Sequence, residues 1–113
     1  MTDKSYSRLW AAPLAKSAIS AQISIPGSKS LTNRELVLSA LASGPSEILN
    51  PLDSRDSNLM IQALKQLGSE IESTPNSLRI TPRTISGPAQ IDCGLAGTVM
   101  RFVPPVAALA MGE

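Results

Sequence analysis

Pro26-Gly27-Ser28-Lys29-Ser30-Leu31-Thr32-Asn33-Arg34 is the stretch from which the rest of the chain can be read. Just before it, Ala21-Gln22-Ile23-Ser24-Ile25 alternates apolar and polar residues and predicts a short strand. Just after it, Glu35 to Ala42 is rich in helix formers, and Gly44-Pro45 closes that run. A Pro-Gly turn therefore feeds a helix start that carries a lysine, hydroxyls and an arginine. Free backbone N–H groups and the positive end of the helix dipole favour an anion at such a place. Ser30 and Arg34 are four residues apart and share one helix face. Lys29 sits just before the first turn, within reach of the same anion. The chemistry this points to is recognition of a phosphate ester. The plainer reading is a capped surface helix with solvated charges.

The stretch matches a nucleotide P-loop only in part, because Ser28 stands where that pattern requires the glycine before its lysine. A Walker-type ATPase is not expected. Composition narrows the classes further. The 113 residues are enough for one ordinary domain with a core. A net charge of +1 gives no general affinity for polyanions or membrane surfaces. The chain has no histidine, so it holds neither a Ser-His-Asp relay nor a His-ligated metal. Cys93 is its one cysteine, which rules out an internal disulfide and suits a reducing cytosol. One tryptophan, one tyrosine and one phenylalanine offer few stacking platforms for single-stranded nucleic acid.

The chain opens with a polar lead, Thr2 to Arg8, expected to fray. Leu9 to Ala15 is mildly apolar, too short to cross a membrane and without a clean signal-peptide core. Trp10 is expected simply to pack. Beyond the first helix, Ser46 to Asn50 reads as a strand ended by Asn50-Pro51. Asp53 or Ser54 then caps a second helix with Asp56 in its first turn. Met60, Leu64 and Leu67 on that helix face the core, and Gly68 closes it. For Asp53 and Asp56 capping is the preferred reading, with orientation of Lys29 or Arg34 as the alternative.

Ser69 to Ser73 and Ser77 to Thr81 read as a hairpin around Thr74-Pro75-Asn76. Arg79 and Arg83 are expected to be solvated. Ala89 to Cys93 predicts a further strand, and Gly94 to Thr98 repeats the strand–turn–helix device. Gly97 lets a ligand approach the backbone, while Thr98 and Arg101 lie in the first turn. The last helix is expected to run through Met100, Phe102, Val106, Leu109 and Met111, kinked or interrupted at Pro104-Pro105. The order β-α-β-α-β-β-β-α indicates an α/β or α+β layered structure. Two anion-binding helix starts suit a reaction between two anionic substrates.

Gly27 to Arg34 resembles the N-terminal signature of the 3-phosphoshikimate 1-carboxyvinyltransferase (EPSP synthase) family. Leu52-Asp53-Ser54-Arg55-Asp56 and Ala96-Gly97-Thr98-Val99-Met100-Arg101 resemble further motifs of that family in the expected order. The resemblance runs from about Ile23 to the end of the chain. It implies the opening part of an inside-out α/β barrel built from βαβαββ units. Residues 1–20 would be a lead that packs with a second domain, and 21–113 an incomplete first domain. The implied reaction transfers the enolpyruvyl group from phosphoenolpyruvate to the 5-hydroxyl of 3-phosphoshikimate, in a cytoplasmic enzyme that is monomeric at full length.

By the same resemblance Lys29, Ser30 and Arg34 bind 3-phosphoshikimate, and Lys29, Gly97 and Arg101 bind phosphoenolpyruvate. No metal and no organic cofactor is implied, and neither nucleic acid nor a membrane is a partner. The family's acid–base carboxylates would lie beyond Glu113, so none of the catalytic residues belongs to this chain and it should be inactive alone. Leu95 and Phe102 stand where the family usually has asparagine and proline, which bears on pocket shape and inhibitor sensitivity. Two rivals are a sister enolpyruvyl transferase acting on a UDP-sugar and a catalytically silent phosphate-binding module.

Overall fold

The computed structural model describes residues 10–111, so the polar lead Thr2 to Arg8 and the terminal Glu113 lie outside the described residues. Six elements follow one another: α1 (Lys29–Ala40), β1 (Ser46–Leu49), α2 (Arg55–Gln66), β2 (Glu70–Ser73), β3 (Ser77–Thr81) and α3 (Gly97–Ala107). The result is a mixed α/β structure with three helices and one antiparallel three-stranded sheet, ordered β1-β3-β2. β2 and β3 form the expected hairpin, with Ile71 opposite Ile80 and Ser73 opposite Leu78. β1 joins the other edge of β3, with Ser46 opposite Ile80 and Leu49 opposite Ser77.

Alternation along the strands decides which face the helices cover. Ile48, Ile71, Leu78 and Ile80 turn inward and are buried, whereas Glu47, Glu72 and Arg79 turn outward. Arg79 lies opposite both Glu47 and Glu72, so the outer face carries opposite charges across neighbouring strands. Arg83 is also exposed, but it is paired: its guanidinium donates to both carboxylate oxygens of Glu70 at 3.1 and 3.0 Å. That hydrogen bond, followed by the attraction of the same carboxylate, raises the pKa of Arg83.

On the inner face α1 and α2 lie against the sheet, and α3 lies across α1 and α2. Leu36, Met60, Leu64, Ile80 and Val99 are the large side chains at the centre of the core. Each is worth about 1.5–3 kcal/mol of apolar burial. The Met60, Leu64 and Leu67 stripe is buried as its spacing predicts. Ser54, rather than Asp53, caps α2. Its hydroxyl accepts from Ser57 N–H at 3.2 Å, and Ser57 Oγ accepts in turn from Ser54 N–H at 2.9 Å.

Several expected elements are not formed. Ala21 to Ile25 is not a strand: among the described residues no segment pairs with it in a ladder, and Ile23 and Ile25 are about four-fifths exposed at 79% and 83%. Trp10, expected to pack, is 79% exposed in the same extended segment. Ala89 to Cys93 is a turn lead instead of a strand. There Asp92 Oδ1 accepts from Gly94 N–H at 2.8 Å, and Cys93 carbonyl accepts from Ala96 N–H at 3.1 Å. The first helix begins at Lys29, earlier than expected, because Ser28 is its cap. The last helix carries Pro104 and Pro105 inside it and ends at Ala107. Leu109 and Met111 fall beyond it, and its buried side is Val99, Val103 and Val106.

Candidate functional site at three helix starts

Ser28 makes α1 begin where it does, since its extended backbone and its hydroxyl, accepting from Leu31 N–H at 3.4 Å, form the cap. The preceding Gly27 is needed for a close approach: a Cβ there would lie 2.9 Å from the Asn50 carbonyl oxygen. The turn is thereby pressed against the loop that leads into α2. Inside the first turn, Thr32 and Asn33 are buried and point to different neighbours. Thr32 Oγ1 accepts from Leu52 N–H at 3.1 Å, and Asn33 Nδ2 donates to Thr98 Oγ1 at 2.6 Å. Consecutive residues of α1 therefore tie down the leads of α2 and α3.

The three helix starts meet at an open cleft of about 350 Å³ lined by Lys29, Ser30, Arg34, Asp56, Gly97, Thr98, Arg101 and Phe102. All five residues singled out from the sequence, Lys29, Ser30, Arg34, Gly97 and Arg101, lie on this one cleft. A larger depression of about 510 Å³ beside Leu41, Ser43, Arg83, Thr84 and Leu109 gathers no comparable set of charges. The cleft has three cationic side chains and one carboxylate, and its walls include the N-terminal turns of α1 and α3. Helix-end N–H groups and an excess of positive charge favour a multiply charged anion.

Lys29, Asp56 and Arg34 are each held by a specific neighbour. Lys29 Nζ lies 2.8 Å from Asp56 Oδ2, with the two side chains 49% and 22% exposed. Asp56 is thus the orienting partner of Lys29, which corrects the preference for a purely capping role. Asp53 instead accepts from Asn58 Nδ2 at 2.9 Å, a contact within its own helix start. Arg34 Nη1 donates to the Ser30 carbonyl at 3.2 Å, one turn earlier on the shared face. Its guanidinium carbon sits 5.7 Å from the centre of the Phe102 ring. That cation–π contact is worth about 0.5–1 kcal/mol at an exposed site. Phe102, marked in the sequence only as a departure, is therefore the surface on which Arg34 rests.

Gly97 opens α3 with empty space before it: nothing lies within 4 Å of where its Cβ would be. Its backbone is free to be approached from the cleft. Asn33 is the residue that sequence reasoning missed. It falls three residues before Leu36 and seven before Ala40, on the buried stripe of the helix, where a polar side chain is out of place. That misfit was the available signal. Among the described residues no three His, Cys, Asp or Glu side chains gather as a metal site would require. No helix among them is long and apolar enough to cross a membrane.

Comparison with known proteins places these features in a family. The family model for EPSP synthase (3-phosphoshikimate 1-carboxyvinyltransferase) matches residues 14–113. A curated 3-phosphoshikimate 1-carboxyvinyltransferase from Kocuria rhizophila is 54% identical over 116 residues, an alignment covering 93% of this chain and 26% of the relative. The chain thus spans about a quarter of the length of that relative. With the match reaching across the cleft and all three helix starts, this chain belongs to the EPSP synthase family.

Proposed function

We propose that the cleft holds the substrates of an enolpyruvyl transfer from phosphoenolpyruvate to the 5-hydroxyl of 3-phosphoshikimate, with release of phosphate. The observation that carries this reading is the convergence of Lys29, Ser30 and Arg34 from one motif with Gly97 and Arg101 from another. Each substrate has a phosphate and a carboxylate, so bringing the two together costs Coulomb energy that fixed cations must offset. Lys29, the first residue of α1 on the shared cleft, contacts both substrates. Ser30 and Arg34 hold 3-phosphoshikimate. Gly97 offers backbone to phosphoenolpyruvate, with Arg101 close by. Positive groups held in place before the reaction also steady charge as it develops on the phosphate leaving group.

The same reading makes residues 21–113 the opening part of a first domain within an inside-out α/β barrel of βαβαββ units. Residues 1–20 form its lead to a second domain. It makes the enzyme cytoplasmic and monomeric, acting on small molecules and not on nucleic acid. None of the 113 residues is given a proton-transfer role, so the chain alone is expected to give no turnover. Support comes from family membership and from the near-neutral charge with a single cysteine.

The test is phosphate release by the protein expressed from its own gene, mixed with both substrates, with either one alone, and with a UDP-sugar replacing 3-phosphoshikimate. Release that needs phosphoenolpyruvate and 3-phosphoshikimate together supports the proposal. Release with the UDP-sugar instead would reassign the acceptor. Binding of both anions without any release would make the cleft a silent phosphate-binding module.

A further inference from the structure

We propose that Asn33 is a positioning residue that fixes the separation of the two anion-binding helix starts, by holding Thr98 and with it the Gly97 backbone. This rests on the cleft being the substrate site. Four observations converge on it. Asn33 is completely buried, and its amide donates to Thr98 Oγ1 at 2.6 Å. Among the described residues this is the only side-chain hydrogen bond joining α1 to α3. The start of α3 has no capping side chain, because Ala96 occupies the cap position and offers no oxygen. Gly97 has no side chain of its own to be packed, and the space in front of it is empty. The location of its N–H therefore depends on its neighbours: Ala96 is tied through its backbone to the Cys93 carbonyl, and Thr98 is the one held by a side-chain hydrogen bond to another helix.

The other half of the Asn33 amide strengthens the argument. Its Oδ1 is buried with no hydrogen-bond partner. A residue serving only to fill space at this position would be apolar and leave no acceptor stranded. The amide is accounted for by its donor half, which bridges the helix starts. Neighbouring Thr32 binds the lead of α2 in the same turn, so α1 sets the distance to each of the other two starts. A displacement of about 1 Å in such a framework is enough to weaken substrate positioning markedly.

The experiment compares Asn33→Ala, Thr98→Val, the double variant and Thr98→Ser in the protein expressed at its full encoded length. Ser77→Ala serves as control: Ser77 is buried and hydrogen-bonded to Glu47 at 2.7 Å, away from the cleft. KM for phosphoenolpyruvate and amide hydrogen exchange are both read. Asn33→Ala and Thr98→Val should each raise KM roughly tenfold, the loss of one hydrogen bond's worth of alignment. The double variant should be no worse than either single one, and Thr98→Ser should restore KM to near wild type. Exchange at Met100 and Arg101, among the first hydrogen-bonded amides of α3, should quicken in the first two variants and not in Ser77→Ala.

Unchanged exchange at Met100 and Arg101 in Asn33→Ala, or additive KM effects in the double variant, would overturn the proposal. If Asn33→Ala does not fold, Thr98→Val against Thr98→Ser decides the same point. A wild-type protein that binds neither phosphoenolpyruvate nor 3-phosphoshikimate would refute the functional reading of the cleft, and the exchange comparison would still decide the positioning role.

Discussion

Lys29 Nζ and Asp56 Oδ2 are 2.8 Å apart, so the cation that opens one helix is held by the first-turn carboxylate of the next. The pair is partly solvated, and its net strength is therefore modest, up to about 1 kcal/mol. On the proposed reading of the cleft, an entering anion would compete with Asp56 for Lys29. The carboxylate thus keeps the lysine aimed without binding it beyond recovery.

Removing the Asp56 charge should strengthen binding of a simple anion. In Asp56→Asn, inorganic phosphate is expected to bind roughly two- to fivefold more tightly at low ionic strength, by titration calorimetry. The gain should disappear near 1 M salt, where screening acts over about 3 Å. An unchanged affinity at low salt would mean that Asp56 does not compete for the cation.

Lys29→Ala should lower kcat/KM for both substrates by roughly tenfold to a hundredfold, the loss of a charge-assisted hydrogen bond worth about 1.5–3 kcal/mol. Ser30→Ala should lose less, because it removes one neutral donor and leaves the helix N–H groups in place. Arg79→Ala, on the outward face of β3, should leave both values unchanged at fixed ionic strength. Equal losses for Lys29→Ala and Arg79→Ala would remove Lys29 from the substrate site.

Gly27→Ala should destabilise the fold and shift the turn that presents Lys29. The added methyl would sit 2.9 Å from the Asn50 carbonyl, which belongs to backbone and cannot swing aside. Overpacking of this kind costs about 1–3 kcal/mol. A lower urea midpoint with an unchanged slope is the expected result.

Ser54→Ala should cost about 1 kcal/mol by deleting the cap of α2, read from the same urea titration. Ser57→Ala should cost at least as much. Its hydroxyl is buried, accepts from Ser54 N–H and is placed 2.7 Å from the Leu52 carbonyl. A neutral result for both would show that Asp53 or Asp56 caps the helix in solution.

The hairpin, the α2 core stripe and the helix starts after Gly27 and Ala96 were legible in the sequence because each is a local property. Alternation at Leu78, Arg79 and Ile80, the four- and seven-residue spacing from Met60, and a Pro-Gly turn before a lysine need no knowledge of neighbours. What eluded sequence reading depends on partners. Ile23 and Ile25 have the pattern of a strand, but a strand exists only when another lies beside it. The spacing puts Asn33 on the buried stripe of α1, but its partner Thr98 lies 65 positions later and cannot be read locally. α1 buries Thr32 and Asn33 while Leu31 and Leu38 face outward, an inversion that periodicity alone would misassign. Phe102 carries no hint of Arg34 in its own surroundings.

The strand order β1-β3-β2 also governs how the chain can assemble. The β2–β3 turn is short, so that hairpin can close within microseconds. β1 must instead wait for a strand about thirty residues away, with the whole of α2 between them. Its docking therefore follows hairpin closure, and α2 is the strap that makes it feasible by laying its Met60–Leu64 stripe over the hairpin. Substitutions at Ile80, which both neighbours of β3 pair with, should slow folding, whereas those at Ile48 should chiefly hasten unfolding. A chevron analysis of Ile80→Val and Ile48→Val would read this ordering directly.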